Sequence, residues 1–186
     1  METARRLSAA GRQVFLDWKL HDIGATVEKA AAAIAAAGAC DFLTVHAEPQ
    51  VLAAAVRGCA AAPIAVLGVT VLTSLSQRDL AEIGYDAPLE ALVERRVRQV
   101  IDAGADGVIV SPREAALARR IGGPDLKVVT PGVRPAWAAA NDQARAETPT
   151  FTLRAGASHI VVGRPVTAAA DPGAAARAIA DEMAAV

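Results

Sequence analysis

The sequence predicts an α/β protein whose parallel sheet is covered by helices, and three observations carry that expectation. Short β-branched runs alternate with Ala-rich helical segments. The strand segments are apolar nearly throughout, as strands buried on both faces must be. The junctions AAGACDFLTVHA, DAGADGVIVS and RAGASHIVVG share one form: helix, Gly stop, small residue, polar residue, apolar strand. One βα unit repeated in this way suggests a (β/α) barrel.

Taken in order, Val14–Asp17 reads as the first strand, and a helix near Val27–Ala37 stops at Gly38. Phe42–His46 is the second strand, followed by a helix around Pro49–Cys59, and Ile64–Thr70 is the third strand. Pro88 opens a long helix to Ala103, with Gly104 as its stop. Asp106–Val110 is the fourth strand, Pro112–Ile121 its helix, and Lys127–Thr130 the fifth strand. A long loop from Pro131 to about Glu147 leads to a short helix near Thr148, then a sixth strand, Ser158–Val162. A helix from Pro172 to about Ala185 closes the series. A closed barrel of this type has eight strands, whereas an open doubly wound sheet accepts six.

The 186 residues fit one domain, and 53% hydrophobic with 21% charged residues is ordinary for a globular protein. A net charge of −1 argues against a broad nucleic-acid surface. Cys40 and Cys59 have no metal-like spacing to each other or to His21, His46 and His159, and read as reduced core residues. With no charged-then-apolar leader and no membrane-length apolar span, a soluble cytoplasmic protein is expected.

The densest polar cluster is FLDWKLHDIGAT, residues Phe15–Thr26. On a strand, Asp17 and Lys19 share a face, which in a barrel is the interior, where unpaired charges are expensive. Asp22 follows in the loop. A structural ion pair with Asp22 as a solvated acid explains the same spacing. Two further clusters, TPGVRP (Thr130–Pro135) and VVGRPVT (Val161–Thr167), end the fifth and sixth strands. Gly132 and Gly163 let the backbone approach a ligand, and Arg134 and Arg164 supply guanidinium forks suited to phosphate. A surface Arg is the simpler alternative for each. Gln143 lies in the long loop that could fold over a substrate. TVLTS (Thr70–Ser74) ends the third strand with three hydroxyls, which could equally form a cap or turn. His21 and His46 read more simply as structural than catalytic, Trp18 and Trp137 as packing residues, and Arg95–Arg98 as a solvated helix side.

These motifs together resemble the orotidine 5′-monophosphate decarboxylase family. FLDWKLHDIGAT is similar to its D-x-K-x-x-D signature, and TVLTS, TPGVRP, DQARAETP and GASHIVVGRPVT with the later Asp-Pro follow in the family's order, across essentially the whole chain. The resemblance implies a (β/α)8 TIM-barrel fold, a homodimer, orotidine 5′-monophosphate as substrate and UMP as product, with no metal or organic cofactor. It implies Lys19 as proton donor and Asp17 as the carboxylate near the substrate's own. Asp22 would enter the partner subunit's site, with Ile23 and Thr26 beside it. Thr73 would contact the pyrimidine, and Arg134, Gln143, Gly163 and Arg164 would hold the phosphate.

The chain departs from the family pattern in places. About two βα units that precede the D-x-K strand have no counterpart, nor do the Asp and Lys they bring to the ribose. METARRLSAAGRQ looks like the end of the helix before that strand, and such a chain should be unstable or recruit a partner. DIGAT replaces the usual Pro-Asn before the Thr. Because D-x-K-x-x-D is shared more widely, a magnesium-dependent sugar-phosphate decarboxylase or synthase is an alternative, separable by metal dependence. A non-catalytic phosphate-binding or assembly module is another, marked by binding without turnover.

Overall fold

The computed structural model describes residues 1–138 and 147–186. The chain divides into two compact units, Met1–Thr70 with Glu94–Val108, and Val71–Val93 with Ile109–Val186.

The first unit runs α1 (Glu2–Ala9), β1 (Phe15–Leu20), α2 (Gly24–Ala37), β2 (Phe42–His46), α3 (Pro49–Cys59) and β3 (Ala65–Val69). The three strands pair in parallel, Phe15 opposite Phe42 and Phe42 opposite Ala65. Leu43, Val45, Leu52 and Leu67 are fully buried and form the centre of its core. Gly38 ends α2 with φ 61°, the left-handed cap for which glycine is cheapest. On α3, a Cβ at Gly58 would lie 2.6 Å from both the Ala31 Cβ and the Glu28 carbonyl oxygen, so a bare backbone lets α2 and α3 close together.

The second unit holds α4 (Gln77–Glu82), a 3-10 turn at Pro112–Glu114, α6 (Ala115–Gly122), β5 (Lys127–Pro131), α7 (Pro149–Arg154), β6 (His159–Val161), α8 (Arg164–Thr167) and α9 (Pro172–Ala184). Two elements cross the division: α5 (Leu89–Asp102) and β4 (Gly107–Ile109). β5 pairs in parallel with β6, Val129 opposite His159. Ser76 caps α4 through a capping box with Asp79. The Arg119 guanidinium donates to the carbonyls of Gly156, Gly123, Pro124 and Leu126, tying the turn after α7 to the stretch between α6 and β5. Strand order follows chain order, β1-β2-β3-β4-β5-β6.

The repeated junction has a physical purpose. Its polar residue locks each strand to the strand before it. Asp41 N donates to the Val14 carbonyl while the Asp41 carboxylate accepts from Val14 N at 2.6 Å. Asp106 does the same with Val66 at 2.8 Å, and Ser158 with Val128 at 2.9 Å.

Several expectations are corrected. β1 continues past Asp17 to Leu20, and does so irregularly: it runs from Leu16 to Leu20 while β2 advances only from Leu43 to Val45. Lys19 absorbs the surplus with φ 47°. α2 begins at Gly24, three residues earlier than the apolar periodicity implied. Short α4 and α8 had no periodic signal, and the helix expected from Pro112 starts as a 3-10 turn. Trp18 and Trp137 are exposed rather than packed. Arg96 is not part of a solvated stripe: its side chain is 11% exposed and bonds inward, while Arg95 and Arg98 do face solvent.

Candidate active site

In the first unit, β1 and β2 build a compact polar group. Lys19 Nζ donates to Asp17 Oδ2 at 2.6 Å, so the expected pair exists. It is not buried, however. The two side chains are 38% and 49% exposed, and the desolvation cost expected of an interior pair does not arise. The bulge turns this stretch of β1 toward water, which the simple two-residue alternation could not reveal.

Beneath the pair lies Thr44 of β2, fully buried. Its hydroxyl donates to Asp17 Oδ1 at 2.8 Å and accepts from Lys19 N at 3.0 Å. Two residues on, His46 lies on the same face of β2, its ring 4.6 Å from that of His21. His21 Nε2 is 3.7 Å from Glu48 Oε2, and Arg96 reaches both Glu48 Oε1, at 3.3 Å, and the Thr70 carbonyl. Burial lowers the pKa of His46; Glu48 opposes this, while His21, Arg96 and Lys19 reinforce it. These causes together favour the neutral form of the His46 imidazole. Burial also pushes the Cys59 thiol up to about 11, which removes it as a nucleophile.

The residues after β1, up to the first turn of α2, have other partners or face solvent. Asp22 accepts from Ile23 N at 2.7 Å, and Asp22, Ile23 and Thr26 are all exposed where α2 begins.

In the second unit, Arg134 and Arg164 line one cavity of about 320 Å³, together with Trp137, Ala138, Pro165, Ala168 and Ala169. Arg134 is 7% exposed and its backbone N bonds the Glu147 carbonyl at 2.9 Å, so that guanidinium projects from a fixed base. Arg164 is exposed and opens α8, with Gly163 as the preceding cap residue and open space where its Cβ would be. Gly132 has φ 80°, so TPGVRP needs its glycine for the turn. One arginine from each of the two motifs thus lines this cavity. Thr73 lies in a turn, half-buried, and the cap after TVLTS is Ser76 instead. Gln143 lies outside the described residues.

Sequence reasoning missed Thr44, Glu48 and Arg96. The signal for Thr44 was present, since a hydroxyl two residues before His46 interrupts an otherwise apolar strand. Among the described residues no three His, Cys, Asp or Glu side chains converge as a metal site, and no helix is long and apolar enough to cross a membrane.

Comparison with known proteins gives this geometry its context. An orotidine 5′-phosphate decarboxylase of Caulobacter sp. (strain K31) is 62% identical over 184 residues, covering 99% of this chain and 80% of that protein. Its namesake from Caulobacter vibrioides (strain NA1000 / CB15N) is 57% identical over 190 residues, covering 100% and 81%. The crystal structure of orotidine 5′-phosphate decarboxylase from Lactobacillus acidophilus superposes with a TM-score of 0.86 at 38% identity, covering 98% of this chain and 80% of that one. The fold is thus the α/β fold of the TIM-barrel decarboxylases, with six βα units in these residues. Residues 1–179 match the model of the orotidine 5′-phosphate decarboxylase / HUMPS family, and the chain belongs to that family.

Proposed function

We propose that this protein converts orotidine 5′-phosphate to UMP and carbon dioxide in de novo pyrimidine biosynthesis, using side chains alone. Relatives that share more than half of its residues carry that activity in their names. The observation that carries the mechanism is the Asp17–Lys19 pair held on Thr44.

The C6–carboxylate bond breaks and carbon dioxide leaves, with the electron pair remaining on C6. The Lys19 ammonium stabilises that developing charge and then delivers its proton to C6. Asp17, within hydrogen-bond distance of Lys19, orients it. Arg134, Arg164 and the Gly163 backbone bind the 5′-phosphate, and Gln143 joins them. Binding energy gathered at the phosphate, remote from C6, orients the ring. Thr73 contacts the pyrimidine. The working form is a homodimer in which Asp22, with Ile23 and Thr26, completes the partner's site; their exposure around the start of α2 is consistent with this. The cytoplasm is the proposed compartment, and the free thiols of Cys40 and Cys59 suit its reducing conditions.

The test is an absorbance assay of orotidine 5′-phosphate turnover with the purified chain and its Lys19→Ala variant. We expect kcat to fall at least about 100-fold in the variant, the loss of a positioned proton donor. Undiminished turnover in Lys19→Ala would remove Lys19 from this role.

A further inference from the structure

Thr44 touches both members of the charged pair, and nothing in the D-x-K-x-x-D motif anticipates it. A backbone N–H can only donate, so the hydroxyl must accept from Lys19 N. Its own proton is then committed to Asp17 Oδ1, because an ionised carboxylate only accepts. With Oδ1 fixed, Oδ2 is the oxygen left to receive Lys19 Nζ. One buried hydroxyl thus sets both the backbone and the counter-ion of the same lysine.

This matters because the pair cannot hold itself. At 38% and 49% exposure, an ion pair between flexible side chains is screened and gives little orientational hold. The Lys19 backbone is also unusual, with φ 47°, and such a conformation persists only where its surroundings impose it. Among the described residues, the side-chain bond to the Lys19 backbone comes from Thr44, which at 0% exposure water cannot replace.

We propose that Thr44 is a positioning residue for proton delivery: it holds Lys19 in its left-handed conformation and clamps Asp17, so that the ammonium has a fixed direction. This rests on the reading of Lys19 as proton donor. Thr44 itself touches no reacting atom.

The test compares wild type, Thr44→Val and Thr44→Ser in the full chain, by steady-state turnover and by amide hydrogen exchange at Lys19. Val keeps the shape and removes the hydroxyl; Ser keeps the hydroxyl. For Thr44→Val we expect kcat to fall about 10- to 100-fold with KM changed less than about threefold, since misplacement costs rate rather than phosphate binding. Lys19 amide exchange should quicken by about tenfold or more, and Thr44→Ser should restore both. The proposal is overturned if Thr44→Val keeps kcat within about twofold, if the loss lies in KM, or if Ser is as impaired as Val, which would mark a packing role. Unchanged Lys19 exchange in Thr44→Val overturns it whatever the turnover. Should wild type show no turnover, the decarboxylase reading fails separately, and the exchange comparison still decides whether Thr44 holds Lys19. If Thr44→Val does not fold, Thr44→Cys, similar in size with a weak donor, takes its place under the same criteria.

Discussion

His46 shows how a neighbour can matter without touching the pair. Burial holds its pKa below the ordinary value of 6.5, with Glu48 opposing and His21, Arg96 and Lys19 adding to the depression. The folded imidazole stays neutral where the unfolded one takes up a proton. Its contribution to stability is therefore present above 6.5 and lost as pH falls toward the depressed folded value. We expect the urea midpoint to drop between about pH 7.5 and about pH 5.5, and to drop less in His46→Gln. Some slope should persist, because burial and Lys127 depress His159 in the same direction. Identical slopes in the two proteins would mean that His46 does not titrate in this way. At this scale the sequence was legible wherever chemistry is local. Asp17 and Lys19 were found from their spacing, and Arg134 and Arg164 from their place at strand ends. Depth was not legible. Nothing adjacent to Arg96 says that it turns inward while Arg95 and Arg98 do not, and nothing near Trp18 says that it faces solvent.

Elements were legible where they are periodic or punctuated. The Gly stops and the polar residue after them located β2, β4 and β6 because those same residues make the junction bonds. α4 and α8 are too short for a period to show, and the bulge in β1 is a matter of pairing with β2, which single-strand alternation does not encode. The junction lends itself to a test. In Asp106→Ala, Val66 N, on a residue only 2% exposed, loses its carboxylate acceptor. A buried donor left unsatisfied costs about 1–3 kcal/mol, and we expect a loss of that order by chemical denaturation. Asp106→Asn, which retains an acceptor oxygen, should recover most of it. Equal losses in the two variants would mean that this bond contributes little to stability.

For the whole molecule, repetition of one βα unit indicated the architecture before any single strand was certain, and the solved relatives bear it out at 80% of their length. Pairing of two chains was not legible in the same way, since it came with the resemblance and not from any pattern in the residues. If Asp22 completes a partner's site, subunit mixing will reveal it. Lys19→Ala and Asp22→Ala proteins should each be nearly inactive. Mixed and re-equilibrated, half the dimers are hybrid and one of the two sites in each hybrid has both native residues, so activity should return to roughly a quarter of wild type. No recovery on verified hybrid dimers would place Asp22 in its own subunit's site or in none.

The left-handed backbone at Lys19 has a consequence on an evolutionary timescale. The conformation alone would select glycine or asparagine there, the residues that adopt it at least cost. On the proposed reading of Lys19 as proton donor, the need for an ammonium group at that point keeps a long cationic side chain on so unsuited a backbone. Were that demand to lapse, glycine at position 19 would relieve the backbone. Position 19 would then serve as a gauge, and in descendants of this gene a glycine there would mark a protein that had given up that proton donor while keeping its fold.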